Sequence, residues 1–103
     1  MSREVEVLFE IRSMPIMRDT LARMNLNYSE SKEEILTIQR PYHNIVINGK
    51  TGQISYDESY EWDIDNIRRN YSVNWYKDEL IREGNEIREE VLPNGEIHIH
   101  VNS

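Results

Sequence analysis

Apolar and polar positions change period several times along the chain, and each change predicts an element. Val5, Val7, Phe9 and Ile11 alternate with Glu6, Leu8 and Glu10. Period two predicts a half-buried strand over 5–11. Ser13 is placed to cap a helix, and Pro15 suits its first turn, where a missing N–H does no harm. Met17, Leu21 and Met24 then fall at i, i+4 and i+7, one apolar stripe on a short helix that Asn25 or Asn27 can end. Residues 28–34 are polar and read as a loop. Strands are expected over 35–39 and 45–47, with Pro41 ending the first or marking an edge. Asn48 and Gly49 open a turn rich in residues that accept positive φ, and Ile54 and Tyr56 share one face of the returning strand, 53–56. The middle is thus expected to be a three-stranded meander.

A longer helical stripe follows: Ile64, Ile67, Tyr71, then Trp75 or Tyr76, and Leu80. Neighbours on a helix diverge by ~100°, so only one of Trp75 and Tyr76 can face fully inward. The clearest helical stretch is 67–80. Asp63 or Asp65 can cap it, and Gly84 is placed for a left-handed C-cap. A hairpin closes the chain, with strands 86–92 and 96–101 around Pro93-Asn94-Gly95. Ile87, Glu89 and Val91 share one face of its first strand; Ile97, Ile99 and Val101 share a face of its second. The order is β-α-β-β-β-α-β-β. It predicts an α+β fold, a mainly antiparallel sheet with two helices on one face.

Composition narrows the class. A chain of 103 residues is the size of one domain, 1–103, with a thin core. It has no cysteine, so disulfides and Cys-ligated metal centres are excluded, and a reducing compartment is consistent with that. No apolar run approaches the ~20 residues of a membrane span, and the N-terminus lacks the apolar stretch of a signal peptide. The expected setting is cytoplasmic. The net charge of −7 sits entirely in the second half: residues 1–50 hold seven Lys/Arg against seven Asp/Glu, residues 51–103 five against twelve. Such a field opposes nucleic-acid phosphates and anionic lipid and favours a protein partner with a basic surface.

From 66 to 101 the chain carries Ile67 and Tyr71 on a helix, Gly84 after it, the acids Glu89 and Glu90, the turn Asn94-Gly95, and the alternating Ile97, Ile99 and Val101. Asn48-Gly49 adds an earlier turn. This pattern resembles the hypothetical plastid reading-frame family ycf thirty-five, a domain of unknown function found in cyanobacteria, algal plastids and some phages. Asn85 stands where members place an aromatic, and His98 and His100 replace other residues. The resemblance implies the same fold class and an intracellular setting, and it transfers no catalytic residue. The family's setting beside AAA-type ATPases implies such an ATPase as partner.

The candidate chemistry is sparse. Residues 57–65 hold five acids and no base: Asp57, Glu58, Glu61, Asp63 and Asp65, with Trp62 and Tyr60 among them and Tyr56 alongside. They form either a solvated helix entry or a docking surface for a basic partner; the order of ligands for a calcium loop is missing. Trp62 either staples the helix entry to the core or anchors an interface. Spaced carboxylates can also imitate a phosphate ladder, which suits an inhibitor of phage type that occupies a nucleic-acid-binding surface. His98 and His100, two apart on a strand, present both imidazoles on one face, close enough to share a metal, with His43 as a further ligand and Glu86, Arg88 or Glu90 across the hairpin; that arrangement suits a metal-binding protein or a metal-dependent enzyme. The other placement for them is simply the wet face. Neither a nucleophile elbow nor a phosphate loop is present, so no catalytic residue and no cofactor is assigned. The expectation is a non-catalytic protein-binding domain, with 57–65 as contact region. Oligomeric state is not legible.

Overall fold

The computed structural model describes residues 3–102. The chain is described as two compact units, Met1–Tyr71 and Ser72–Ser103, and one continuous helix runs through the boundary. The fold is α+β with antiparallel sheets and two α-helices.

The first unit holds a five-stranded sheet. Its strands are β1 (Glu4–Leu8), β2 (Tyr28–Glu30), β3 (Ile35–Ile38), β4 (Ile45–Asn48) and β5 (Gln53–Asp57), in the spatial order β1-β5-β4-β3-β2. Every pairing is antiparallel. The register sets Val5 against Tyr56, Val7 against Ile54, Ile54 against Ile47, and Ile47 against Leu36. Period-two alternation therefore gathers Leu36, Ile38, Ile45, Ile47, Ile54 and Tyr56 on one buried face. The opposite face stays wet, with Glu4, Glu6 and Leu8 exposed. Tyr28–Glu30, expected as loop, is the extra strand β2, and it turns the three-stranded meander into a four-stranded one. Three residues without apolar alternation give no pattern to read. Their pairing is supplied by β3, and Arg18 holds them from the helix side through a two-pronged bridge to Glu30, at 2.7 and 2.8 Å. That bridge draws the Glu30 carboxyl below its ordinary range and raises the Arg18 guanidinium.

Helix α1 (Met14–Arg23) begins where the sequence places it. The Ser13 hydroxyl accepts from the Ile16 N–H, and Pro15 lies in the first turn. Met17, Thr20 and Leu21 are buried, and Asn25, at φ 58°, ends the helix. Helix α2 (Glu61–Arg82) starts earlier than the clear stripe suggests. Asp63 and Asp65 lie inside it; the cap is Asp57, which accepts from the Ser59 N–H and hydroxyl at the head of a 3₁₀ turn, Glu58–Tyr60, leading into the helix.

Because only one sheet face is buried, α1 and the first half of α2 both bury their stripes on it, Met17 and Leu21 from one, Ile64, Ile67 and Tyr71 from the other. Tyr71 closes this core. Its ring meets Phe9 edge-on at 5.3 Å, and its hydroxyl accepts the N–H groups of Arg12 (2.7 Å) and Ser13 (3.1 Å), fixing the entry to α1.

The second unit holds the rest of α2 and a hairpin, β6 (Glu86–Val91) and β7 (Ile97–Asn102). Trp75 is the half-buried member of its pair, and Tyr76 is exposed. Gly84, at φ 87°, ends α2; the Asn85 N–H donates to Leu80 O at 3.1 Å, closing the helix end. Lys77 Nζ on α2 lies 2.7 Å from Glu89 Oε2 on β6. The register pairs Ile87 with Val101, Glu89 with Ile99 and Val91 with Ile97, so the two expected apolar faces are one and the same. Its members are half-buried or exposed: among the described residues every buried apolar side chain belongs to Met1–Tyr71. No described helix is long and apolar enough to cross a membrane.

Candidate functional site

The acidic segment is built by the junction of β5 with α2. Strand β5 ends at Asp57, the 3₁₀ turn redirects the chain, and α2 begins at Glu61. The Glu58 N–H donates to Arg3 O at 2.8 Å, which holds the turn against the start of the chain's first strand. Acids in this position meet the positive end of the helix dipole.

The structure separates the six expected contact residues by role. Asp57 leaves the contact set: it is 1% exposed, because its carboxylate caps the turn from beneath. Glu58, Glu61, Trp62 and Asp65 are exposed, and Asp63 is half-buried. Glu61 accepts the Tyr56 hydroxyl at 2.7 Å, and Asp65 lies 3.3 Å from the Arg68 guanidinium. Glu58 is exposed at the 3₁₀ turn. Trp62 does not staple the helix entry to the core: it is 75% exposed. Ile64 and Ile67 already fill the inward stripe, and Trp62 falls two residues before Ile64, on a diverging face.

The sequence gives no signal for a second aromatic at this place. Tyr42 is 77% exposed, in the loop between β3 and β4, and its N–H donates to the Tyr60 hydroxyl at 3.4 Å. A loop tyrosine eighteen residues away has no periodicity to betray it; only the fold brings it beside the 3₁₀ turn. Two exposed aromatic rings therefore stand at the acidic entry of α2.

Beneath them, burial and then the hydrogen bond to Glu61 push the Tyr56 phenol up from its ordinary value to about 12. The folded state prefers the protonated phenol, so this contribution is complete below pH 10 and is lost as pH rises from 10 through 12. The slope there is about 1.4 kcal/mol per pH unit, on the order of 2–3 kcal/mol in all. Urea unfolding between pH 9 and 12 should show the loss, and Tyr56→Phe should remove that part of the slope.

The histidines form no comparable cluster. His98 faces Glu90 and His100 faces Arg88 across the hairpin, on the face opposite Ile97 and Ile99; His98 is exposed and His100 half-buried. His98 Nε2 is 3.2 Å from Glu96, and His100 Nε2 is 3.9 Å from Glu90. His43 is exposed in the first unit. Among the described residues no three His, Cys, Asp or Glu side chains gather as a metal ion requires. A shallow cleft of about 490 Å³ opens between the end of α1 and the strands β2 and β3, lined by Asn25, Asn27, Thr37 and Arg40 among others. Its lining mixes polar residues with Leu26, Tyr28 and Ile38, and it lies apart in sequence from residues 57–65.

Comparison with family models, with curated proteins and with solved structures finds no match to this chain. The resemblance carried by Tyr71, Gly84 and the final hairpin accordingly lends no residue a role.

Proposed function

We propose that this chain is a non-catalytic binding domain that holds a basic surface of another protein through the entry of α2. The observation that carries the reading is Trp62, 75% exposed and set among Glu58, Glu61, Asp63 and Asp65. A large ring held on a helix and ringed by carboxylates can fill an apolar pocket while the acids meet lysines or arginines around it. Tyr42 widens the same contact. Catalysis has less support: the acids here cap, accept a phenol or pair with Arg68.

The test is capture of partners from the native cell, followed by affinity measurement on the purified pair. Binding should weaken as salt rises from ~0.1 to ~0.5 M, because exposed charges are screened over that range. Glu58→Lys should weaken it further. An affinity indifferent to both salt and Glu58→Lys would remove the acidic surface from the mechanism. If the captured partner binds nucleic acid, competition by DNA or RNA distinguishes an inhibitor that imitates phosphates from an adaptor.

A further inference from the structure

We propose that two copies of this chain associate by antiparallel pairing of their β7 strands, centred on Ile99, to form a four-stranded sheet. It uses other residues than those at the entry of α2.

The first observation is apolar surface left on the hairpin. A two-stranded hairpin is marginal in water and is stabilised by further strands or by packing against a helix. Here β6 and β7 pair only with each other. They turn Ile87, Val91, Ile97, Ile99 and Val101 to one side, and Val91 and Val101 remain 66% and 42% exposed.

The second observation is which edge is left open. Sheet edges are normally blunted by charge or brevity. Edge strand β1 carries Glu4 and Glu6, β2 is three residues long with Glu30, and β6 carries Glu86, Arg88, Glu89 and Glu90. β7 reads Ile-His-Ile-His-Val-Asn, six residues with no carboxylate, lysine or arginine. In a chain of net charge −7, it is the edge where two copies meet without opposing acids.

The third observation selects a second copy. Leu92 N–H donates to Glu96 O at 2.8 Å, so these two residues form a hydrogen-bonded pair closing the turn. Antiparallel pairs alternate, so His98 and His100 direct their N–H and C=O groups at β6. Ile97, Ile99 and Val101 direct theirs outward. Residues 97–101 read nearly the same in both directions about Ile99. With Ile99 opposite Ile99 of the second copy, Ile97 meets Val101, and every outward N–H and C=O of the three residues finds a partner. Apolar side chains then face apolar ones, Val101 gains cover, and His98 lies opposite His100. The contact is isologous and closes at two copies.

The experiment is sedimentation equilibrium of the full chain over a wide concentration range, with amide hydrogen exchange on the same samples. The mass should rise from 12.4 kDa toward twice that value with concentration. Protection of the Ile97, Ile99 and Val101 amides should rise in step, while His98 and His100 are protected throughout. Ile99→Pro removes an outward N–H and leaves the bonds to β6 in place, so it should abolish the mass increase; Val101→Lys, a charge on the edge, should do the same. A wild-type chain that stays at 12.4 kDa overturns the proposal. So does a dimer whose outward amides exchange freely at every concentration, since that comparison needs no variant to fold.

Discussion

Gly52→Ala is expected to destabilise the first unit by about 2–5 kcal/mol, far beyond the same change at Gly84 or Gly95. Gly52 sits at φ 80°, where a side chain costs about 1–2 kcal/mol. A Cβ there would also collide with the carbonyl oxygen of Phe9, which is backbone and cannot swing aside. Displacing a packed strand of this kind adds about 1–3 kcal/mol. The damage would not stay local. The Phe9 N–H donates to Gly52 O at 2.8 Å, the Phe9 ring packs on Tyr71, and the Tyr71 hydroxyl accepts the N–H groups that open α1. Gly84 and Gly95 share the positive φ, at 87° each, but a Cβ at either meets nothing within 4 Å. Those changes should cost only the backbone share, roughly 1 kcal/mol. Urea unfolding of the three variants side by side separates the two contributions. Equal losses at Gly52 and Gly84 would show that the approach to Phe9 carries no energy.

That glycine also marks how far the chain could be read from its residues. Strong alternation or helical spacing located the strands around Val5, Ile35, Ile45 and Ile54, both helices, the caps Ser13 and Gly84, and the final turn. Asn48 and Gly49 mark the turn, yet neither adopts positive φ; the position that does is Gly52, whose missing side chain also leaves room for the carbonyl of Phe9, just past β1. The turn is legible in 48–52; which of its residues meets Phe9 depends on the pairing of β1 with β5 and is not. The same holds for Tyr28–Glu30, which becomes a strand by pairing with β3, and for Asp57, whose role as cap competes in the sequence with equally suitable acids at 63 and 65. In the hairpin, the three-residue turn sets Leu92 against Glu96. That register merges the faces of Ile87 and Ile97, which spacing along each strand leaves separate. Of the acidic entry, the composition was legible and the accessibility was not. Which carboxylates are spent on Ser59, Tyr56 and Arg68, and which way Trp62 points, follow from packing.

Trp62→Ala should therefore separate binding from folding. The side chain is 75% exposed, so its loss is expected to change stability by less than about 0.5 kcal/mol. A buried anchor in an interface is worth about 2–4 kcal/mol, which corresponds to roughly a 30- to 1000-fold weaker complex. The salt dependence supplies a second, independent axis. An indole contributes through apolar burial, which salt does not screen; Glu58 and its neighbours contribute through charge, which it does. The alanine variant should bind weakly at every ionic strength while keeping the wild-type salt slope. Glu58→Lys should instead flatten the slope while keeping the anchor. Fluorescence reads the same event directly: in a Trp75→Phe background, Trp62 emission should move to shorter wavelength as partner is added. Full affinity in Trp62→Ala would refute the anchor even if the acids proved essential. Loss of both binding and stability would instead make Trp62 a structural residue, contrary to its exposure.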